Sequence, residues 1–191
     1  MGGIRMAFYL FFILIVFQRL TELVIAKRNE RYLKQKGALE FGKTHYPIIV
    51  IIHSLFFVSF LIEVVFLNKE LSSIWPLLLT LFLLTQAGRV WVLFSLGVFW
   101  NTKILVLPNN PPVRKGPYRL IKHPNYLIVS LEFIVIPLLF QAYATAFIFS
   151  VLNIIVLAIR IPTEERALKL LTNYEEAYRT VPRNEKEVKK V

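Results

Sequence analysis

The sequence contains no cysteine, no aspartate and only three histidines among its 191 residues. Disulfides, zinc–thiolate sites and cysteine nucleophiles are therefore excluded. No group of residues has convincing metal-ligand spacing, so no metal is expected. Glycine is also scarce, at 7 residues, and the glycine-rich strand-to-helix fingerprint of a dinucleotide-binding domain is missing. A Rossmann domain is consequently not expected.

Charged residues are few as well, at 18%, whereas a soluble domain carries about 25%. In their place the chain has 56% hydrophobic residues, 16 phenylalanines and a mean hydropathy of +0.57. This composition is typical of an all-α polytopic membrane protein. The net charge of +11 would suggest nucleic acid in a soluble protein. Here the cations gather in particular connectors, so we expect the lipid bilayer as a partner and no nucleic acid.

Apolar segments of about 20 residues are long enough to cross a hydrocarbon core. Pro137 and the polar residues 141–143 divide the last long apolar stretch, which predicts a tight hairpin of the fourth and fifth helices. No internal repeat is visible, so a single membrane domain over residues 1–191 is expected. The predicted spans are residues 7–26, 47–67, 74–98, 126–140 and 143–161.

Lysine and arginine are distributed unevenly between the connectors. The connectors after the first and third spans carry six and five, and the tail from Arg160 onward carries eight, whereas the connectors after the second and fourth spans carry one and none. Basic connectors are retained in the cytoplasm. The pattern therefore predicts an N-terminus outside the cell, with the polar loops and a C-terminal helix in the cytoplasm.

Four ionisable residues, Arg19, Glu22, Arg89 and Glu132, lie inside predicted spans, where a charge costs a few kcal/mol unless it is paired. Arg19 and Glu22 are three residues apart and share a helix face, which favours an ion pair. Two interpretations stay open: an interhelical network, or a polar pocket open to the cytoplasm. Glu63 is different, because its place near the outer end of the second span predicts that it reaches the interface.

The three histidines occupy different settings. His53 is alone on an apolar helix face, and we predict that it is packed or hydrogen-bonded within its helix. His45 lies in a basic connector and receives no role. His123 belongs to a polar loop between the third and fourth spans, and this loop is the first of two clusters with chemical character.

That loop contains two proline-rich segments. Residues 107–113 should be extended, because proline fixes φ and biases the preceding residue away from helix. Residues 116–124 then turn the chain and lead into the fourth span. The loop is either a ligand cradle at the membrane surface or a rigid connector anchored at the interface by Tyr118 and Tyr126.

The second cluster follows the fifth span. Arg160 ends this span, and Thr163 is a candidate N-cap for a separate tail helix that opens with Glu164 and Glu165, since acidic side chains suit a helix N-terminus. If the helix is continuous, Arg160 and Glu164 share one face. The simpler interpretation is an arginine that snorkels to the interface, followed by an ordinarily capped helix.

Together, three motifs occur in order along the C-terminal half. They are Gly-Pro-Tyr-Arg-x3-His-Pro-Asn-Tyr at residues 116–126, Arg-x3-Glu-Glu-x2-Leu at residues 160–168, and Tyr174-x3-Tyr178. In this order and spacing they resemble the isoprenylcysteine carboxyl methyltransferase family. The resemblance covers roughly residues 98–183, while the first two spans match only in being hydrophobic.

The resemblance implies an integral-membrane methyltransferase that uses S-adenosylmethionine and has no Rossmann domain. It also implies that Arg160, the predicted catalytic residue, faces the acidic group of the methyl acceptor. The cofactor-binding residues that the resemblance implies are Pro112, Val113, Tyr118, His123, Pro124, Asn125, Tyr126 and Glu164.

The chemistry suits these residues. Methyl transfer from a sulfonium requires in-line approach and desolvation more than acid–base groups. A carboxylate or an acidic enol is already anionic near neutral pH and requires no general base. What helps is a cation that positions the anion, and arginine offers a two-pronged fork for this purpose.

The compact chain and its Arg-Lys-Gly-Pro-Tyr-Arg segment at residues 114–119 resemble bacterial members that methylate lipophilic polyketides. We therefore expect a bacterial cell-membrane enzyme that methylates the ring hydroxyl of a long-chain alkylpyrone, with a functional link to a type III polyketide synthase. The carboxylate of a prenylated cysteine is the second candidate acceptor. Residues 100–103 and the proline run differ from the Asn/His-containing stretch of eukaryotic members.

Two other classes of protein stay open. Membrane sterol reductases, which use NADPH, carry a similar Arg-x-x-His-Pro-Asn-Tyr segment, although their next motif is usually of an Arg-Asp-Glu type. A non-catalytic lipid-binding or scaffold protein would explain the hydrophobic spans but would leave both polar clusters without a role.

Overall fold

The computed structural model describes residues 2–174, and five helices account for most of them. Tyr178, the last predicted motif residue, and the rest of the basic tail lie outside the described residues. In chain order, the elements are α1 (Gly2–Gln35), β1 (Leu39–Phe41), α2 (Tyr46–Phe66), α3 (Trp75–Leu96), β2 (Ile104–Val106), α4 (Pro124–Leu139) and α5 (Tyr143–Leu171), with short 3-10 turns at Gly97–Phe99 and Gly116–Arg119.

The prediction of an all-α polytopic membrane protein is confirmed. Four helical segments are long and apolar enough to cross a membrane: Arg5–Gln35, Tyr46–Phe66, Trp75–Phe99 and Tyr143–Leu171. Helix α4 has 16 residues and is the shorter arm of the predicted hairpin, joined to α5 by residues 140–142. The first helix continues past its predicted end at residue 26, so part of the basic connector is helical.

Phenylalanine side chains fill the core at the end of the bundle opposite the polar clusters. Phe60 of α2 is completely buried and contacts Phe8 of α1 edge to face, with ring centroids 5.3 Å apart. Phe8 also meets Phe140 at the end of α4, at 5.1 Å. Such edge-to-face contacts add to the burial energy. This packing holds the N-terminal half of α1 against α2 and the hairpin.

The prediction that Glu63 reaches the interface is wrong. Its side chain is buried, and its carboxylate accepts hydrogen bonds from the backbone N–H groups of Ala144 at 3.1 Å and Thr145 at 2.7 Å. The Thr145 hydroxyl adds a third bond at 2.7 Å. The first turn of a helix has N–H groups without intrahelical partners and a positive dipole end. Glu63 therefore caps α5 from α2.

The prediction of a separate tail helix capped by Thr163 is also wrong, because α5 continues through Pro162 to Leu171. The Thr163 hydroxyl instead donates to the carbonyl oxygen of Ile159 at 2.8 Å. Proline removes one helical hydrogen bond, but the turns beyond it are held by packing: Ala167 is buried against Ile104 and Val106 of β2. The cluster at residues 160–168 is thus part of one long helix.

A short antiparallel pair of strands was not predicted. Leu39, Glu40 and Phe41 of β1 lie opposite Val106, Leu105 and Ile104 of β2. The pair connects the segment after α1 to the segment after α3. It thereby positions the proline-rich loop above the ends of α4 and α5.

Candidate active site

The loop before α4 packs closely on α3, and Gly116 is the point of closest approach. Its φ of +52° is favourable for glycine, and a Cβ atom there would lie 2.2 Å from Ser95 Oγ and 2.7 Å from Trp91 Nε1. Both distances are shorter than real Cβ contacts. Two residues later, the Tyr118 side chain is buried in a cluster with Val92 and Trp100. Gly116 therefore lets the loop adopt a fixed position over the bundle.

Helix α4 starts at Pro124, a residue tolerated in the first helical turn. Its first turn presents Tyr126 to α5. The Tyr126 hydroxyl donates to the carboxylate of Glu164 and accepts a hydrogen bond from Arg160 Nε at 2.9 Å. Arg160 Nη2 donates to the carbonyl oxygen of Thr102 at 2.6 Å. Because α5 is continuous, Arg160 and Glu164 lie one turn apart and meet the same tyrosine.

His123 is placed between the start of α4 and the acidic pair of α5. Its Nε2 lies 3.1 Å from Glu165 Oε1, and its Nδ1 lies 3.6 Å from Glu164 Oε2. The imidazole stacks on the Tyr126 ring with centroids 5.4 Å apart. His123, Tyr126 and Glu164 thus form a single polar wall.

This wall faces a cavity of about 140 Å³, here called the loop cavity, which lies between the proline-rich loop, β2 and the last turns of α5. Seven of the eight residues predicted to bind a cofactor line it: Pro112, Val113, Tyr118, His123, Asn125, Tyr126 and Glu164. The eighth, Pro124, is buried in the first turn of α4 and is not part of the lining. The structure brings these residues together, and their roles in binding stay predictions.

A second cavity, here called the helix cavity, has a volume of about 270 Å³ and lies among α1, α2, α4 and α5. Its lining includes apolar side chains such as Val16, Ile49 and Leu157. Five residues line both cavities: Trp100, Asn101, Asn125, Tyr126 and Arg160. The two cavities therefore adjoin at the Tyr126–Arg160 pair.

The helix cavity faces the lipid side between α1 and α2. Leu20 and Leu23 of α1 and Val50 of α2 line it and are at the same time exposed at the surface of the bundle. Aromatic contacts between the two helices occur nearer the N-terminus of α1, where Phe12 and Phe57 lie 6.1 Å apart. The helix cavity thus has exposed apolar residues at its edge between α1 and α2, and Arg160 is also part of its lining.

Comparison with known proteins agrees with this geometry. The model of the isoprenylcysteine carboxyl methyltransferase (ICMT) family matches residues 78–170. An uncharacterized protein of Bacillus subtilis (strain 168), YpbQ, is 47% identical over 162 residues, which are 85% of this chain and 96% of that protein. The chain belongs to the isoprenylcysteine carboxyl methyltransferase family. Membership supports a membrane methyltransferase, and methyltransferases of this family generally use S-adenosylmethionine.

A second relative, an uncharacterized protein of Haemophilus influenzae (strain ATCC 51907 / DSM 11121 / KW20 / Rd), is 30% identical over 154 residues, or 80% of this chain and 90% of that protein. No solved structure matches. The family match begins within α3 and ends in α5, so it includes the whole lining of the loop cavity except for residues near the end of α5. Helices α1 and α2, which form the lipid-facing wall of the helix cavity, lie outside it.

The charges inside the bundle of this family member form a network. Arg89 Nη1 lies 3.0 Å from Glu22, and Arg89 Nε lies 2.9 Å from Glu132. Arg19 lies 2.9 Å from Glu22, as predicted, and also bonds Glu132. The network joins α1, α3 and α4, and three of its members, all except Glu132, also line the helix cavity. The interhelical network is therefore confirmed, and the opening of a polar pocket to the cytoplasm stays a prediction.

Two side chains of the site have a buried polar atom that is free to bind a ligand. Trp100 Nε1 and Asn125 Oδ1 are buried polar atoms without a hydrogen-bond partner in the part of the chain that the structure describes. Buried polar atoms are normally paired, and both side chains border the two cavities. A bound molecule with a donor and an acceptor would satisfy them. Asn125 was predicted from its motif, whereas nothing in the sequence indicated Trp100.

The segment around Thr102 is held by a smaller ionic cluster. Lys103 Nζ donates to Glu30 at 2.8 Å and lies 3.4 Å from Glu40 of β1. The hydrogen bond with Glu30 raises the pKa of Lys103. Asn29 donates to the carbonyl oxygen of Trp100 at 2.8 Å. These contacts fix the carbonyl group of Thr102 where Arg160 binds it.

Proposed function

We propose that this protein is an S-adenosylmethionine-dependent O-methyltransferase that acts at the membrane on a lipophilic acceptor with an acidic head group. The preferred acceptor is the ring hydroxyl of a long-chain alkylpyrone. One observation carries the proposal: a polar cavity and a lipid-facing cavity adjoin at Tyr126 and Arg160. Such an arrangement gives a water-soluble cofactor and a membrane-soluble acceptor separate entrances to one reaction centre.

The loop cavity suits the cofactor. The Glu164 carboxylate would bind the amino group or the ribose hydroxyls, and Asn125 Oδ1 is an unpaired buried acceptor for a donor of the same molecule. When bound, S-adenosylmethionine supplies a sulfonium methyl group, which is electrophilic. His123 is held by Glu165 and stacked on Tyr126, which favours a positioning contact with the cofactor over a role as general base.

Arg160 suits the acceptor. Its side chain is 7% exposed, and its bonds to described residues use Nε and Nη2. Its Nη1 is left for the anionic oxygen of the acceptor. An arginine held by Tyr126 and Thr102 positions this oxygen without rotameric freedom, and a fixed approach is the main requirement of a displacement reaction.

Methyl transfer to an anionic oxygen requires no general base from the protein, because no proton has to be removed. The acceptor oxygen, already deprotonated and held by Arg160, would form the new carbon–oxygen bond with its own lone pair, and the electron pair of the broken carbon–sulfur bond would stay on the sulfur of the bound cofactor. The positive charge of the sulfonium and the negative charge of the acceptor disappear together. A water-poor cavity favours this loss of charge, and the neutral ether is released sideways into the bilayer.

The helix cavity supports the proposed acceptor class. Its lining is mostly apolar and opens toward lipid between α1 and α2. A long alkyl chain fits this environment, and alkylpyrones of this kind are made by type III polyketide synthases, the class of enzyme that would supply the substrate. The carboxylate of a prenylated cysteine has the same combination of acid and apolar tail, and it is the alternative acceptor.

The test uses the full-length protein in detergent. Calorimetric titration is carried out with S-adenosylmethionine and, separately, with NADPH, and methyl transfer is then measured with a long-chain alkylpyrone and with a farnesylated cysteine. We expect binding of S-adenosylmethionine and faster methylation of the alkylpyrone. Faster methylation of the farnesylated cysteine would favour the alternative acceptor. Binding of NADPH alone would contradict the proposal, and binding of neither would indicate a lipid-binding protein.

A further inference from the structure

His53 occupies a position in the helix cavity that the proposed reaction does not use. It lies on α2 and lines the cavity together with Arg19 and Glu22 of α1. Tyr46, on the same face of α2, is seven residues earlier, and its hydroxyl lies 3.1 Å from Thr102 Oγ1, next to the Arg160 site. Seven residues are two helical turns, or about 10 Å. His53 therefore lies about 10 Å along α2 from Tyr46, the residue of this helix that is next to the Arg160 site.

The hydrogen bond of His53 determines its tautomer. Its Nδ1 lies 2.8 Å from the carbonyl oxygen of Ile49. A carbonyl oxygen only accepts hydrogen bonds, so Nδ1 carries the hydrogen, and in the neutral imidazole Nε2 is then an acceptor. Among the described residues, Nε2 has no hydrogen-bond partner, and it is not among the fully enclosed polar atoms. It presents a lone pair to the cavity.

The charged residues next to His53 are already paired, so His53 is the group available to accept a hydrogen bond from a ligand. Arg19 is bound by Glu22 and Glu132, and Arg89 is bound by the same two carboxylates. The network contains two cations and two anions, and these four side chains form ion pairs with one another. On the other side, the imidazole packs against Phe133, with ring centroids 5.0 Å apart. His53 is therefore a rigid acceptor in an otherwise satisfied region of the cavity.

We propose that His53 Nε2 accepts a hydrogen bond from a hydroxyl group in the tail of the methyl acceptor, so that the enzyme selects acceptors hydroxylated about two helical turns, roughly 10 Å, from the methylated oxygen. The inference rests on the proposed function and goes beyond it, because it assigns a specificity-determining residue and a second functional group to the substrate. An acceptor tail without a hydroxyl would cover Nε2 and leave it unpaired, which costs free energy, and this cost is the physical basis of the selection.

The experiment uses two long-chain alkylpyrones of equal chain length, one of which carries a hydroxyl on the chain roughly 10 Å from the ring hydroxyl, the rise of two helical turns. Binding to the full-length protein is measured without cofactor by quenching of tryptophan fluorescence, since Trp100 lines the helix cavity. We expect the wild-type protein to bind the hydroxylated pyrone at least about tenfold more tightly. His53→Phe should remove this preference, and His53→Gln, whose amide oxygen also accepts, should restore part of it.

The plain pyrone is the internal control, because its unchanged affinity in His53→Phe shows that the cavity is intact. Equal affinities in the wild-type protein, or an unchanged preference in His53→Phe, would overturn the inference. A protein that prefers the hydroxylated pyrone but transfers no methyl group would contradict only the proposed function. Failure to bind either pyrone would contradict both.

Discussion

Arg160 and Tyr126 are joined by a hydrogen bond of 2.9 Å from guanidinium Nε to phenol oxygen, and the guanidinium carbon lies 5.7 Å from the centroid of the same ring. Because the phenol donates in turn to Glu164, one tyrosine connects the residue proposed to hold the acceptor with the residue proposed to hold the cofactor. We therefore expect the two halves of the site to be coupled, although Glu164 lines only the loop cavity and Arg160 lines both cavities.

Tyr126→Phe tests this coupling. The variant removes hydrogen bonds to two charged groups, each worth about 1.5–3 kcal/mol, while it keeps the ring that stacks on His123. We expect kcat/KM to fall roughly 10- to 1000-fold, with losses in both cofactor affinity and turnover. Calorimetry and initial rates separate the two losses. A change in only one of them would mean that the halves of the site are independent.

Substitutions of Arg160 and Glu164 should affect different quantities, turnover for Arg160 and cofactor affinity for Glu164. Glu164→Gln removes the charge on the cofactor side, so the Kd for S-adenosylmethionine should rise about tenfold. Arg160→Lys keeps the charge but loses the fork, so turnover of the acidic acceptor should fall while the Kd changes little. His123→Ala should also weaken cofactor binding. Thr163→Ala is the matched control on the same helix, because among residues 2–174 its hydroxyl bonds only the carbonyl oxygen of Ile159. An identical pattern in the Arg160 and Glu164 variants would contradict the assignment.

The sequence was sufficient to predict that Arg160 and Glu164 share a face of a continuous helix, but not that the helix is continuous. The spacing of Arg160 and Glu164 on a helical face needs only local geometry, and the charge pair of Arg19 and Glu22 was predicted in the same way. The continuity of α5 through Pro162 depends on Ala167 packing against β2, a strand from a distant part of the chain. Three-residue strands have too short a pattern to be visible in a sequence.

The contacts of Glu63 could not be predicted for the same reason, since they also depend on long-range packing. Its position predicts a depth in the membrane, whereas its partners, Ala144 and Thr145, are about 80 residues away and become neighbours only when α5 packs against α2. Among the described residues, Trp100 Nε1 is buried without a hydrogen-bond partner, and this too depends on the folded site and not on the local sequence. The order of the motifs was thus enough to predict which residues line the loop cavity. The helix cavity depends on long-range packing and could not be predicted in this way.

Gly116 and Gly97 form a matched pair for testing the loop. Both have a positive φ, +52° and +54°, but a Cβ would clash with α3 only at Gly116, because nothing lies within 4 Å at Gly97. Gly97→Ala should cost about 1–3 kcal/mol of backbone strain, because φ +54° with ψ −122° lies outside even the left-handed helical region. Gly116→Ala should lower the apparent Tm further and weaken cofactor binding, as the loop moves away from Trp91. Differential scanning fluorimetry and calorimetry measure both effects, and equal behaviour of the two variants would argue against the close packing of the loop.

In the buried network, the loss of stability caused by removing one charge should be partly restored by removing a charge of opposite sign. Glu132→Leu leaves Arg19 and Arg89 facing one carboxylate, Glu22, and loss of a buried partner typically costs about 3–5 kcal/mol. Arg89→Leu combined with Glu132→Leu keeps one charge of each sign, Arg19 and Glu22. The double variant should therefore be more stable than Glu132→Leu, as measured by unfolding in mixed detergent micelles. Losses that simply add would show that the four charges act independently.

The absence of cysteine makes the proposed orientation directly testable, because single cysteines can be introduced without removing any others. Lys43, before α2, and Glu70, after it, are exposed at opposite ends of this helix. With the N-terminus outside the cell, Glu70→Cys should react with a membrane-impermeant maleimide in intact cells, and Lys43→Cys should react only after permeabilisation. The reverse pattern would place the loop cavity outside. It would also place the site away from the cytoplasmic supply of S-adenosylmethionine, so orientation and cofactor use are tested by one measurement.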